Sequence, residues 1–218
     1  MHLRHFLFDF DGTLADSAPL HAAAFREVLA TAAPGVLAGF NYELLKGLTT
    51  RAAFMRLGIE AGARLEWCVA EKQKLYREAV RAGRLKEYSG ARVLLEAVVV
   101  GGGANYLVTS GSADSVNLAL NGLELRILFA GIITADDTSA GKPSPEPYII
   151  CLRRFGLRLA EAIAVEDARS GVVAAKTAGL RVIGVHNPEI ATLVDIYYPT
   201  LTALSAALLQ SGQRLLVN

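Results

Sequence analysis

The sequence predicts an α/β fold: a Rossmann-like parallel sheet carrying one inserted α-helical subdomain. Three observations predict it. Short apolar runs alternate with helical patterns through most of the chain. Those runs end repeatedly in Asp, Thr, Ser or Glu. The stretch from Asp16 to Leu85 breaks the rhythm, with helical patterns and no convincing strand. Strands separated by helices need crossover connections, which make the sheet parallel and cover both of its faces.

The elements follow in order. His5–Phe8 is the first strand and stops at Asp9. Helices are then expected over His21–Ala32, Tyr42–Leu57 and Ala61–Val80, with Leu20, Phe25, Val28 and Leu29 forming one apolar stripe. Gly101–Gly103 reads as a helix stop and turn, because it precedes a strand and lacks the Lys and Ser/Thr of a phosphate loop. Asn105–Thr109 is the second strand, followed by SGS and a helix over Ala113–Asn121. Gly131–Thr134 is the third, with a helix over Glu146–Phe155 after a polar loop. Ala162–Val165 is the fourth, with a helix from Ser170 to Ala178 stopped by Gly179, and Arg181–Val185 is the fifth. The expected division is a core domain of residues 1–16 and 86–218 and a helical subdomain of residues 17–85.

Bulk composition narrows the partners. Half the residues are apolar and a fifth charged, which suits a well-buried globule rather than disorder. With 22 basic and 21 acidic residues, no cationic excess favours nucleic acid or an anionic membrane, so a small molecule is the expected partner. No uncharged run is long enough to span a bilayer, and Asp9 and Asp11 interrupt the first apolar run too early for a signal peptide. Cys68 and Cys151 stand alone and are expected to be reduced, buried thiols of a cytoplasmic protein. Monomer and homodimer are equally compatible with the sequence.

The stretch FLFDFDGTL, Phe6–Leu14, poses an electrostatic problem. Residues two apart on a strand share a side, so Asp9 and Asp11 bring like charges together and call for an opposing charge such as a metal ion. Ligands of open parallel sheets sit at the carboxyl ends of the strands. Those ends supply Asp9 and Asp11, then Thr109 and Ser110, then Glu166 and Asp167, with Lys142 in the loop after the third strand. Magnesium takes oxygen ligands from one or two carboxylates, waters and phosphate, and Asp9, Asp167 and Glu166 can offer them. Singly, each residue has an ordinary reading: an Asp-Gly turn, a helix cap, a solvated lysine. Their joint placement at successive strand ends favours a magnesium phosphate site.

DFDGT (Asp9–Thr13), VTSGS (Val108–Ser112), GKPSPEPY (Gly141–Tyr148) and VEDARSGVVAA (Val165–Ala175) resemble, in order, the four motifs of the haloacid dehalogenase superfamily. They are most similar to its phosphatase and β-phosphoglucomutase-like branch, in which a helical cap follows the first strand. The resemblance implies Asp9 as nucleophile, forming an aspartyl-phosphate, and Asp11 as general acid and then general base. It implies that Asp11 also reaches the metal through its backbone carbonyl, beside Asp9, Asp167 and Glu166, the last directly or through water. Thr109, Ser110, Gly111 and Lys142 would hold the phosphate. His21 matches a histidine of the sugar-phosphate branch, and LLKGLTTR (Leu44–Arg51) resembles its substrate-facing cap loop, which marks Lys46, Thr50 and Arg51. Arg51 stands one residue later than in the mutase pattern. Asp114 occupies the place where mutase relatives carry a lysine, which disfavours a bisphosphate.

The implied function is Mg2+-dependent hydrolysis of a small phosphomonoester of the sugar phosphate or phosphoglycolate type. A phosphosugar mutase is the alternative enzyme, and a non-catalytic phosphometabolite-binding protein is the alternative of another class.

Overall fold

The computed structural model describes residues 3–211. Six strands form one sheet: β1 (His5–Phe8), β2 (Ala104–Val108), β3 (Phe129–Ile133), β4 (Ala162–Glu166), β5 (Arg181–Val185) and β6 (Ile196–Tyr198). Their order is β3-β2-β1-β4-β5-β6 and every pairing is parallel. The order reverses between β1 and β4, and the crevice outside the strand ends at that point is where such sheets bind ligands.

Alternation along β1 shows why the sheet is buried on both faces. Phe6 and Phe8 enter the cluster with Leu94, Leu107 and Leu204, while Leu7 enters the opposite one with Val108, Ile133 and Tyr148. Each such fully buried side chain contributes about 1.5–3 kcal/mol relative to exposure. The helices covering the faces are α5 (Ala91–Val100), α6 (Ala113–Gly122), α7 (Glu146–Arg154), α8 (Arg169–Thr177) and α9 (Leu201–Ser211). α5 ends at Val100, so Gly101–Gly103 is the expected stop before β2.

Between β1 and β2 lie α1 (Ala18–Ala32), the short α2 (Pro34–Leu37), α3 (Thr50–Arg56) and α4 (Ala63–Arg81). They enclose their own core of Phe25, Val28, Leu29, Leu45, Phe54, Leu65 and Cys68. The chain leaves and returns through two paired connections: Asp16 N–H donates to Lys86 O and Tyr88 N–H to Leu14 O, both at 2.9 Å.

One expected helix is corrected. Tyr42–Leu57 is not continuous: a 3-10 turn covers Tyr42–Leu45, and α3 starts afresh at Thr50, with the Thr49 hydroxyl accepting from Ala52 N–H. The break falls at Gly47, where φ is +76° and an added Cβ would lie 2.0 Å from Ser170 Oγ. The inserted helices here press their backbone directly onto the core. α2, β6 and α9 complete the fold beyond the elements expected from sequence. Cys68 and Cys151 are both buried and unbonded, and among the described residues no helix is long and apolar enough to cross a membrane.

Candidate active site

The sheet places Asp9 just past β1, with its N–H on Val165 O at 3.0 Å, and Glu166 at the end of β4 beside it. Asp9, Glu166 and Asp167 are all buried, and each offers an oxygen within 4.8 Å of the others. Lys142, itself 2% exposed, reaches in from the loop after β3. Its ammonium donates to Asp9 Oδ1 at 2.7 Å, Glu166 Oε1 at 2.6 Å and Val108 O at 2.8 Å. Tyr148 donates its hydroxyl to the same Glu166 oxygen.

Three buried carboxyl groups facing one ammonium leave negative charge uncompensated. Burial, then Glu166 and Asp167, push the Asp9 carboxyl well above its ordinary range, although Lys142 opposes them. Burial and the neighbouring Glu166 carry Asp167 up to about 7. Burial would depress Lys142, but Asp9 and Glu166 prevail and raise it. A buried set of oxygens with surplus negative charge fits a magnesium ion. Asp9 and Asp167 are the better direct ligands, because one Glu166 oxygen is already engaged by Lys142 and Tyr148.

Gly12 allows this close approach. It adopts φ +89°, and a Cβ there would fall 2.2 Å from Asp167 Oδ2. The next residue, Thr13, donates its hydroxyl to Asp167 Oδ1 at 3.2 Å.

Asp11 lies on the other side of Asp9 and accepts from His21 Nε2 at 3.0 Å. Lys72 Nζ stands 2.7 Å from His21 Nδ1. An ammonium only donates, so Nδ1 accepts from it and the ring proton resides on Nε2, directed at Asp11. Burial and Lys72 lower the His21 pKa, consistent with a neutral ring. Burial pushes the Asp11 carboxyl upward, but the His21 hydrogen bond and the Lys72 ammonium behind it draw it below its ordinary range. The His21 ring stacks on Tyr76 with centroids 4.3 Å apart, which fixes its plane.

At the end of β2, Thr109 Oγ1 accepts from Gly111 N–H at 3.1 Å, closing a tight turn. The Ser110 backbone N–H takes no partner among the described residues, and Ser110 lines a cavity with Asp9, Asp11, His21, Tyr42, Thr50, Lys72, Gln73 and Tyr76. The Ser110 hydroxyl, expected at phosphate, donates instead to Gly47 O at 2.8 Å. Ser170 Oγ does the same to Lys46 O at 3.0 Å. Two core serines therefore strap down the loop of the inserted helices.

The loop residues Lys46, Thr50 and Arg51 divide. Thr50 lines the cavity, 3.5 Å from Lys72 Nζ. Lys46 pairs with Glu43 at 2.8 Å and borders a neighbouring groove with Arg56 and Arg169. Arg51 does not line the cavity; it makes a two-pronged pair with Glu66 on the exposed surface, at 2.7 and 2.6 Å. Lys72 was not singled out from sequence. Its signal is a lysine within the buried stripe Leu65, Cys68, Tyr76 and Val80 of α4.

Known proteins share this architecture. The family model described as haloacid dehalogenase-like hydrolase matches residues 6–185. Fructose-1-phosphate phosphatase YqaB of Escherichia coli (strain K12) is 28% identical over 183 residues, covering 82% of this chain and 94% of that protein. Hexitol phosphatase B of the same organism is 30% identical over 213 residues, covering 92% and 93%. The crystal structure of CbbY from Rhodobacter sphaeroides in complex with phosphate is similar with a TM-score of 0.79 and 25% identity, covering 93% of this chain and 96% of that one. A match across most of the chain, together with the acid cluster at the strand-order reversal, shows that the chain belongs to the haloacid dehalogenase-like hydrolase family.

Proposed function

We propose that this protein is a magnesium-dependent phosphatase acting on a small sugar or polyol phosphate through a phosphorylated Asp9. One observation carries the reading: Asp9 is held by Lys142 at the mouth of the acid cluster, and Asp11, two residues on, faces the same cavity. The relatives YqaB and hexitol phosphatase B support the choice of a phosphorylated carbohydrate.

Lys142 fixes one Asp9 oxygen and leaves the other for attack on phosphorus. The Ser110 N–H, at the start of the turn before α6, donates to a phosphate oxygen. Bound magnesium, held by Asp9, Asp167 and the Asp11 carbonyl with Glu166 behind them, would supply positive charge to the phosphoryl oxygens. Asp11 handles the proton. An arriving phosphate raises its carboxyl pKa by like-charge repulsion, so it carries a proton to the leaving oxygen. Once ionised, it takes a proton from the water that hydrolyses the aspartyl-phosphate. His21 orients Asp11, and Lys72 fixes the His21 tautomer that does so.

Residues 17–85 act as a mobile cap in this account. The cavity measures about 50 Å³, room for only a few water-sized groups, so substrate enters when the helices swing away from the core. Lys72 is the single Lys or Arg lining the cavity among the described residues, and His21 already occupies it. A second phosphate would meet no free cation, which favours a monoester over the bisphosphate of a mutase.

The test is phosphate release from a panel of hexitol, hexose and glycolate phosphates with Mg2+. Wild type should release phosphate, and Asp9→Asn and Asp11→Asn should not. Conversion of a hexose 1-phosphate to its 6-phosphate with little release would support the mutase. Ligand-induced thermal stabilisation without any turnover would leave only a binding protein.

A further inference from the structure

β5 ends at Val185, and the next residue, His186, adopts φ +63°. Asn187 N–H donates to Val185 O at 2.7 Å, so the chain reverses over His186 alone. A one-residue reversal at positive φ is a γ-turn of the rare, strained kind. Glu124, the other non-glycine residue with positive φ among those described, follows the end of α6, where left-handed backbone is ordinary. No helix end accounts for His186.

The turn delivers an imidazole to the junction between core and insertion. The His186 ring stacks on Tyr88, centroids 4.1 Å apart, and its Nε2 lies 3.2 Å from Thr13 O, to which it donates. Tyr88 is on the returning connection: its N–H holds Leu14 O, and its hydroxyl donates to Asp16 Oδ1 at 3.4 Å. Thr13 is on the outgoing side, and its hydroxyl donates to Asp167. Asn187, the neighbour of His186, donates its side-chain N–H to Asp167 O at 3.1 Å. Both connections and the acid cluster are thus gripped by one turn.

We propose that His186 is a positioning residue that couples closure of the inserted helices to the placement of Asp167. The proposal rests on the reading of residues 17–85 as a moving cap over a phosphatase site. When the two connections flex, Tyr88 and the Thr13 carbonyl move against the imidazole, and the Thr13 hydroxyl carries that displacement to Asp167. The backbone strain persists because a relaxed turn would carry the ring away from both contacts.

His186→Gly tests this, because glycine adopts φ +63° without strain and removes only the ring. In the full-length protein, the amide hydrogens of Asp16 and Tyr88 should exchange about tenfold faster while the melting temperature stays within a few degrees. The kcat for the best monoester should fall about tenfold with little change in KM, since placement rather than binding is lost. Tyr88→Phe, which keeps the stacked ring, should behave as wild type, and Tyr88→Ala should reproduce His186→Gly. Wild-type exchange at both amides in His186→Gly would overturn the proposal. So would a fall in kcat that tracks the melting temperature alone. A wild-type protein that releases phosphate from no monoester would instead sink the phosphatase reading, and the exchange comparison would still decide the role of His186.

Discussion

Lys72, buried on α4, brings its ammonium to within 2.7 Å of His21 Nδ1, which is also buried. The cost of that burial predicts a pH-dependent stability. Burial lowers the Lys72 pKa from its ordinary 10.5 to about 8, with Asp11 opposing. Below pH 8 the folded and unfolded chains both hold the proton, and the fold bears the full cost of the buried charge. Between 8 and 10.5 the folded chain releases the proton while the unfolded chain keeps it, so this cost is relieved as pH rises. Removing the buried charge in Lys72→Met should therefore favour the fold more at pH 7 than at pH 10, an advantage that fades toward pH 10.5. Urea unfolding at pH 7 and pH 10 measures it; equal gains at both would contradict the assignment. The same variant should lose about tenfold in kcat, because His21 no longer has a donor on Nδ1 to fix its tautomer.

Lys142→Met should have the opposite effect on stability. It leaves Asp9 and Glu166 buried without their shared cation, and breaking such a pair costs about 3–5 kcal/mol. Chemical denaturation should show the loss, and phosphate release should disappear even where the protein is still folded.

Magnesium should stabilise the wild-type chain by binding the folded state alone. A thermal melt with millimolar Mg2+ against EDTA should rise for wild type and stay unchanged for Asp167→Asn. Equal shifts in both would place the metal elsewhere than the acid cluster.

Gly12→Ala forces a Cβ into space 2.2 Å from Asp167 Oδ2 and into a backbone region where non-glycine residues are strained by about 1–2 kcal/mol. Activity should be lost at temperatures well below the unfolding transition, as measured by parallel melts and assays. Arg51→Ala supplies the contrast. Its partner Glu66 is exposed, so stability should change by less than about 1 kcal/mol and turnover by less than about twofold.

The sheet was legible because its strands are short apolar runs closed by polar residues. Unbroken burial of Phe6, Leu7 and Phe8 is what a parallel strand covered on both faces requires. The site residues of the core were legible for the same reason, since a strand end fixes where Asp9, Thr109 and Asp167 emerge. β6 has only three half-buried residues, too few for any periodicity, and only two residues separate it from α9. The inserted helices were harder. Gly47 breaks the expected Tyr42–Leu57 helix for a tertiary reason, contact with Ser170, that no local pattern reports. Arg51 and Lys72 exchange the roles their appearance suggests. The arginine in a motif-like loop turns to Glu66, while the lysine in an apolar stripe reaches the site. Side-chain direction across two packed helices decides both outcomes, and sequence spacing along one helix does not encode it.

The central claim is that Asp9 becomes phosphorylated during turnover. Rapid acid quench with a labelled hexitol phosphate, followed by peptide mapping, tests it most directly. The account predicts label on the peptide containing Asp9 within the first turnover and none in Asp9→Asn. Phosphate released at the wild-type rate with no label ever reaching Asp9 would contradict it.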